Sequence, residues 1–192
     1  MSVIPEFYTS PDNVNKYIAM TRNTHGTELL KECKKHLPLR SSLLELGTGP
    51  GNDFLELKKD YEVLGSDLSP EFLRHLKSRF PQDEFLNLDA TTLETSLHFD
   101  AIYSNKVLHH LKDDELRESI DSQVQHLHDG GLICHAFWKG NGSENFKGMY
   151  VNMHTEETLT SFFAPHFKIL HLASYMEFEE EDSLLLIARK KS

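Results

Sequence analysis

The middle of the chain alternates short apolar runs with segments in which apolar residues recur at helical spacing. The apolar runs predict five strands, at residues 42–46, 62–65, 84–88, 100–104 and 132–137. The helical spacing predicts helices at 52–59, 70–80 and 113–128, the last of which is closed by Gly130-Gly131. Strands that alternate with helices require right-handed crossovers. The pattern therefore predicts a parallel sheet with helices on both faces.

The two ends of the chain predict further elements. Near the amino terminus, Ser10-Pro11-Asp12 starts a helix that runs to about Met20, and Thr27 starts another. Near the other end, a helix at 156–163 precedes strands at 167–177 and 183–189. The acidic turn 179–182 joins these strands so closely that they are antiparallel, and it predicts a solvated hairpin tip. No repeat or linker divides the chain, so we expect one domain over residues 1–192, with helices in 1–40 and the core in 41–192.

A glycine-rich turn follows the first predicted strand. Gly47, Gly49 and Gly51 stand at every second position, and Asp67 comes 20 positions after Gly47, where the second strand ends. Glycines let the backbone approach a ligand closely, and the helix start behind them leaves N–H groups unpaired. A carboxylate at the tip of the next parallel strand can accept hydrogen bonds from a ribose diol. These features predict a nucleoside cofactor.

The spacing of the glycines separates two classes of cofactor. A dinucleotide site of the form G-x-G-x-x-G would need glycine at position 52, which is Asn52. Glu45, just before the turn, would repel a pyrophosphate but suits a cationic ligand. Reduction with NAD(P) is therefore disfavoured. The run from Glu45 to Gly51 resembles motif I of the class I S-adenosylmethionine-dependent methyltransferases.

The resemblance extends from about Ser42 to Phe137, and the tract 99–111 resembles motif IV of the small-molecule branch of this family. It implies an α/β fold, a three-layer Rossmann-like sandwich around a seven-stranded sheet of order 3-2-1-4-5-7-6 whose last strand is antiparallel. It also implies that the amino-terminal helices lie over the mouth of the cofactor and substrate site. The cofactor implied is S-adenosyl-L-methionine.

The resemblance assigns cofactor contacts to the ends of the first four strands. The glycine loop would approach the ligand, Asp67 would bind both ribose hydroxyls and Leu68 would lie against the adenine ring. Asp89 would accept from the adenine amine while the N–H of Ala90 reaches the ring, and the backbone after the fourth strand would receive the methionine ammonium. Asp67 and Asp89 could instead cap the turns that follow them. The implied set is Glu45, Gly47, Thr48, Gly49, Gly51, Asp67, Leu68, Asp89, Ala90, Ser104 and Asn105.

No catalytic residue is singled out, because the transferred methyl is already activated and a base is needed only for a protonated acceptor. The candidates for such a base are His109, His110, His135 and His154. The candidate aromatic walls of an acceptor pocket are Tyr8, Tyr17, Phe137, Trp138 and Tyr150. The structural alternatives are packing at a helix start for the His109-His110 pair, a core position for His135 and simple packing for Trp138.

The interval 139–153 is too short for a cap domain, which favours a compact pocket and a small acceptor. We expect methyl transfer to oxygen, nitrogen or sulfur of that small-molecule substrate. The alternative is a cofactor-binding pseudoenzyme or partner subunit that has no acceptor site.

The net charge of the chain limits the kinds of partner that it can bind. Thirty acidic and twenty basic residues give a net charge of −10, whereas nucleic acid binding needs a basic face. No nucleic acid partner is therefore expected, and the sequence does not indicate the oligomeric state. The one basic cluster is interpreted as a solvated helix face; it comprises Lys31, Lys34, Lys35, His36 and Arg40.

Cysteine and histidine spacing argues against disulfides and metal. Cys33 and Cys134 stand among apolar neighbours and are predicted to be buried small hydrophobes. No C-x₂-C or H-E-x-x-H spacing occurs, and His126-x-His128 would lie too far round a helix to chelate, so no metal is expected. No apolar run reaches about 18 residues and the first residues lack a signal-peptide pattern, so we expect no membrane contact and a cytoplasmic location.

Overall fold

The computed structural model describes residues 6–22, 24–146 and 148–191, so the start of the chain that was read for a signal peptide lies outside the described residues. The helices are α1 (Glu6–Thr9), α2 (Pro11–Met20), α3 (Thr27–His36), α4 (Asn52–Leu57), α5 (Pro70–Arg79), α6 (Asp113–His126) and α7 (Glu156–Phe163). The strands are β1 (Ser42–Leu46), β2 (Glu62–Asp67), β3 (Phe85–Asn87), β4 (Phe99–Asn105), β5 (Leu127–Trp138), β6 (Ser143–Phe146), β7 (Met149–Asn152), β8 (Phe167–Tyr175) and β9 (Ser183–Lys190).

Seven of these strands form one sheet of order β3-β2-β1-β4-β5-β9-β8. The pairs among β1 to β5 are parallel, and β9 runs antiparallel to both β5 and β8. The predicted sheet order and the antiparallel last strand are thus confirmed. Since β1 is flanked by β2 and β4, the connections leave it in opposite directions and open a crevice at its carboxyl end.

Apolar side chains cover both faces of the sheet, as a parallel sheet requires. One face packs on α6 and α7, with Leu116, Ile120 and Phe163 buried against Ile102 and Ile133. The opposite face packs on α3 through a second cluster. A third, at the β3 edge, contains side chains of α4 and α5; its buried members are Phe54, Leu73, Leu76, Phe80 and Phe85.

Helix α5 begins where its sequence predicts. Ser69 is the N-cap, Pro70 occupies the first helical position, and the Ser69 hydroxyl accepts from the N–H of Phe72 at 3.4 Å. The same hydroxyl donates to the backbone oxygen of Tyr8 at 2.7 Å. The cap of α5 therefore also anchors α1.

The junction between α6 and β5 differs from the prediction. The helix ends at His126, and β5 starts at Leu127, where it pairs with Phe99. A Cβ on Gly131 would lie 3.0 Å from the backbone oxygen of His128 and 3.2 Å from that of Asp100. The backbone of this segment pairs with β4, and this pairing overrides the helical pattern. His128 is consequently in a strand, and the helical argument about its spacing from His126 was wrong.

A hairpin of β6 and β7 lies within the interval 139–153, for which the sequence pattern predicted no strand. Its register runs from Ser143 paired with Asn152 to Phe146 paired with Met149. The residues of β6 before Phe146 are exposed and polar, so they lack the apolar alternation that would have indicated a strand. The hairpin is attached to the core by a bridge between Lys139 and His154.

Cys33 and Cys134 are free and fully buried, as predicted, with their Sγ atoms 3.4 Å apart. The predicted basic face of α3 is solvated, and its lysines pair with acids, Lys31 with Glu28 and Lys34 with Asp60. None of the helices in the described ranges is long and apolar enough to cross a membrane.

Candidate cofactor and acceptor site

A cavity of about 740 Å³ opens at the carboxyl ends of β1, β2 and β4. It lies where the strand order reverses, which is the usual ligand position in open α/β sheets. Nine of the eleven predicted cofactor residues line it: Glu45, Gly47, Thr48, Gly49, Asp67, Leu68, Asp89, Ala90 and Asn105. Tyr8, Tyr17, His110, Trp138 and Tyr150 also line it, whereas Phe137 is buried in the core.

Besides Phe137, five predicted site residues do not line the cavity: Gly51, Ser104, His109, His135 and His154. Gly51 is the N-cap of α4 with φ +81°, and its Cα lies against the Phe80 ring. Ser104 is fully buried, with its hydroxyl 2.8 Å from Nδ1 of His135. His109 is also buried, which holds its pKa well below the usual range. Ser104, His109 and His154 are thus buried in the interior.

Asp67 joins the two loops that border the cavity. Its Oδ2 accepts from the N–H of Gly49 at 2.9 Å, and its Oδ1 accepts from the N–H of Ser69 at 2.8 Å. Burial raises the pKa of this carboxyl to about 6. The capping contact considered for Asp67 thus exists, and the carboxylate, which offers about four acceptor positions, keeps acceptor capacity for a ligand.

Glu45 is a buried acid without a countercharge nearby. Its Oε2 has no hydrogen-bond partner among the described residues. Burial, followed by the neighbouring charge of Asp53, raises the pKa of Glu45 well above its ordinary value. Six acids and two lysines line the described part of the cavity. A nearby cation favours the ionised form of these carboxyls, so such a surface suits a cationic ligand better than a diphosphate.

Asp53, which the sequence did not single out, is the centre of a buried cluster. Its carboxylate accepts from the N–H of Gly26 at 2.8 Å, from the Tyr103 hydroxyl at 2.7 Å and from Nδ2 of Asn105 at 3.0 Å. Asp53 therefore ties the segment before α3 to the end of β4. The one signal in the sequence that pointed to Asp53 was its position, two residues after the glycine loop.

Asn52, the residue that argued against a dinucleotide, has a structural role of its own. Its Nδ2 donates to the backbone oxygens of Thr21 at 2.6 Å and Thr24 at 3.1 Å. Arg79 donates in turn to Asn52 Oδ1 at 3.0 Å. The start of α4 thus holds the chain that leaves α2.

The amino-terminal helices supply aromatic walls of the cavity. Tyr8 and Tyr17 have ring centres 5.9 Å apart, and each lies 5.8 Å from the ring of Phe72 on α5. Burial raises the pKa of both tyrosines, so both hydroxyls stay neutral. This placement agrees with the expectation that the first helices lie over the site.

Lys106 is the second residue that sequence reasoning missed. It has φ +56°, and its Nζ donates to the oxygen of Phe137 at 3.0 Å and to the hydroxyl of Ser183 at 2.6 Å. The same Nζ lies 3.6 Å from the ring centre of Trp138, whose ring also stacks on Phe178 at 6.0 Å. Burial lowers the pKa of Lys106 to about 7.

In the wild type the free energy of unfolding should increase as the pH rises above neutrality. Lys106→Met should lack this increase. Between the lowered pKa and its ordinary value of 10.5 the unfolded chain binds a proton that the folded chain does not. The free energy of unfolding should therefore increase by about 2 kcal/mol from about pH 7 to about pH 9. Urea denaturation of the wild type and Lys106→Met at both pH values measures the difference. Equal pH dependence in both proteins would contradict a lowered pKa.

The loop between β8 and β9 reaches the cavity through residues just before its acidic tip. Asp182 accepts from the N–H groups of Glu177, Phe178 and Glu179, at 2.8, 2.9 and 3.0 Å. These bonds hold the pKa of Asp182 below its ordinary value against the effect of desolvation. Glu177 and Phe178 consequently line the cavity, while residues 179–181 remain exposed.

His110 is the candidate base with the clearest geometry. Its Nδ1 lies 2.8 Å from the oxygen of Tyr150, which can only accept, so Nδ1 carries the hydrogen. Burial lowers the pKa of His110, so Nε2 keeps a lone pair, 3.4 Å from the hydroxyl of Tyr8. This nitrogen can accept a proton from a ligand.

His135 lies in the core, as predicted by the structural alternative to a role as a base. Its Nε2 lies 2.8 Å from Oε1 of Gln123, whose Nε2 donates to Ser119; the Ser119 hydroxyl donates to the oxygen of Ala90 at 2.6 Å. Buried polar side chains thus connect the end of β4 to the loop after β3. No group of acids, histidines or cysteines that could hold a metal occurs among the residues described.

Comparison with known proteins agrees with this geometry. Residues 43–131 match the sequence profile of a family described as a methyltransferase domain. This part of the chain is therefore similar to a methyltransferase domain. The matched residues run from β1 into β5 and include the glycine loop and Asp67.

Two named relatives share part of this domain. Over 95 residues the chain is 37% identical to trans-aconitate 2-methyltransferase from Methylobacterium radiotolerans, covering 48% of this chain and 36% of that one. Over 113 residues it is 28% identical to trans-aconitate 2-methyltransferase from Azoarcus sp., covering 56% of this chain and 44% of that one. The chain therefore spans less than half the length of the curated relatives it matches.

The fold of the chain also agrees with that of a solved structure. The N-methyltransferase NodS from Bradyrhizobium japonicum, in complex with S-adenosylhomocysteine, superposes with a TM-score of 0.74. The match covers 96% of this chain and 100% of NodS at 17% sequence identity. At that identity the likeness concerns the fold.

Proposed function

We propose that this protein transfers the methyl group of S-adenosylmethionine to oxygen, nitrogen or sulfur of a small-molecule acceptor. The observation that carries the proposal is the group of buried acids Glu45, Asp53 and Asp67 at one end of a parallel sheet. Their charge suits a cationic nucleoside. The cavity volume of about 740 Å³ supports a ligand of small-molecule size.

The residues present fit the parts of that cofactor. Asp67 has lone pairs for a ribose diol, Leu68 offers an apolar surface for adenine, and Glu45 has an unpaired oxygen for the cationic end. At Gly49 a Cβ would meet no atom closer than 3.8 Å, so the glycine leaves open space beside the loop. When bound, the cofactor supplies a methyl group already activated by a positive sulfur.

The remaining task of the chain is to orient an acceptor and exclude water. Tyr8, Tyr17 and Trp138 form apolar walls, and orientation of this kind is worth about 7–11 kcal/mol. For an acceptor that is protonated, Nε2 of His110 is placed to take the proton, which typically contributes about 10²- to 10⁴-fold. The acidic lining argues against a nucleic acid substrate.

Calorimetric titration tests the cofactor assignment. S-adenosylhomocysteine should bind with micromolar affinity, and NADH should give no heat at equal concentrations, because its diphosphate meets the buried acids. Tight NADH binding, or no binding of S-adenosylhomocysteine, would overturn the proposal.

Transfer itself requires a second experiment. We expect radiolabelled methyl to move from the cofactor into a compound of a metabolite extract, and trans-aconitate, named for both relatives, is the first pure acceptor to test. Cofactor binding without transfer to any fraction would favour a pseudoenzyme or a partner subunit.

A further inference from the structure

The amide of Asn105 has a fixed orientation at the border of the cavity. Its Nδ2 lies 3.0 Å from Oδ2 of Asp53. A carboxylate can only accept, so the amide must turn its NH₂ group toward Asp53. The carbonyl oxygen Oδ1 is then directed away from Asp53, and it has no hydrogen-bond partner among the described residues.

The packing around Asp53 leaves little room for another arrangement. A Cβ on Gly26 would lie 2.6 Å from Nδ2 of Asn105 and 2.8 Å from both Oδ2 of Asp53 and the hydroxyl of Tyr103. Glycine at position 26 therefore permits the backbone to close over the cluster. Asp53 is held by donors from three parts of the chain, so its carboxylate is a rigid reference for the amide.

A buried carbonyl oxygen without a partner is unfavourable until a donor reaches it. Asn105 lines the same cavity as Glu45, whose Oε2 is also unpaired. Two buried acceptors without donors on one cavity indicate a ligand that brings N–H groups and positive charge. The adenine amine is a neutral donor, whereas a primary ammonium supplies three charged ones.

We propose that Asp53 is a positioning residue that holds the Asn105 amide so that Oδ1 accepts a hydrogen bond from the primary ammonium of the cofactor. This inference rests on the proposed function. Asp53 acts through Asn105 and needs no contact with the ligand. It also links recognition of the ammonium to the segment before α3, through the N–H of Gly26.

The test compares two ligands that differ only in the ammonium. One is S-adenosylhomocysteine, and the other is its analogue with hydrogen in place of the amino group. Asp53→Asn keeps the volume of the side chain but lets the Asn105 amide turn over. We expect it to weaken binding of S-adenosylhomocysteine about 10- to 50-fold and binding of the deamino analogue less than about threefold, since only the former has the charged donor.

A double-mutant cycle separates positioning from general damage. Asn105→Ala should show the same discrimination between the ligands, and the double variant should be no weaker than Asn105→Ala alone, because Asp53 acts through the removed amide. Tyr103→Phe is the matched control, since it removes one donor to Asp53 but leaves the Asn105 contact, and it should change both affinities less than about threefold. Circular dichroism checks that each variant is folded.

The outcomes are distinct. If the wild type does not bind S-adenosylhomocysteine, the proposed function fails. If it binds and Asp53→Asn lowers the affinity of both ligands equally, or the two substitutions are additive, the positioning role is wrong while the function stands. If Asp53→Asn does not fold, the affinities of Asn105→Ala for the two ligands decide the question. An equal loss of affinity for both ligands would then reject the role of Asn105 Oδ1.

Discussion

Asp67→Ala is expected to weaken binding of S-adenosylhomocysteine about 100-fold, close to 3 kcal/mol. The substitution removes the acceptor of the ribose hydroxyls, and hydrogen bonds to a charged group contribute about 1.5–3 kcal/mol each. It also frees the N–H groups of Gly49 and Ser69, which Asp67 now holds. Glu62→Ala, at the exposed opposite end of β2, is the control and should bind like the wild type.

The raised pKa of Asp67 adds a pH dependence to this prediction. In the proposed site the ionised carboxylate accepts from the ribose hydroxyls, so the affinity should fall as the pH is lowered through about 6, and Asp67→Asn should lose that part of the dependence. Stability of the free protein should change in the opposite sense. The folded chain keeps a proton that the unfolded chain releases above 3.8, so Asp67 makes folding less favourable as the pH rises toward 6. Unchanged affinity in Asp67→Ala would show that the ribose assignment is wrong.

Gly47→Ala is expected to lower the free energy of unfolding by about 3 kcal/mol, through overpacking and a left-handed backbone. A Cβ at Gly47 would lie 2.5 Å from Cγ2 of Val107, and the residue has φ +63°. Gly49 has φ +51° but open space around its Cβ position. Gly49→Ala should therefore lose only about 1 kcal/mol of stability.

Gly47→Ala and Gly49→Ala should also differ in their effect on ligand binding. A methyl group on Gly49 would occupy the space that we assign to the cofactor, so Gly49→Ala should bind S-adenosylhomocysteine poorly although it stays folded. Urea denaturation and calorimetric titration measure the two effects. Equal destabilisation in both variants, or normal binding by Gly49→Ala, would contradict the roles given to the two glycines.

The parallel core could be predicted because its signals are local. Apolar runs, the Ser69-Pro70 helix start and the glycine spacing each depend on a few neighbouring residues, and the structure places them as expected. The boundary between α6 and β5 could not be predicted, because the pairing of Leu127 with Phe99 is a contact over a long sequence distance. Residues 143–145 of β6 gave no strand pattern for a different reason: they are exposed and polar.

Within the site, predicted residues share a motif with their neighbours, whereas missed residues act through tertiary contacts. Asp53 receives hydrogen bonds from residues 27, 50 and 52 positions away, which no local pattern reveals. Lys106 looked like an ordinary polar residue, yet its partner Ser183 is 77 positions away. The roles of the residues that line the cavity toward a ligand stay predictions until binding is measured.

The two touching thiols give the protein an internal reporter of how its first helices are docked. Cys33 belongs to α3 and Cys134 to β5, and both are fully buried. A thiol reagent in solution can reach them only when α3 separates from the sheet, since reaction needs an exposed thiolate. The rate of alkylation therefore reports how often α3 separates from the sheet. Along the chain, α3 directly follows the helices whose tyrosines line the cavity.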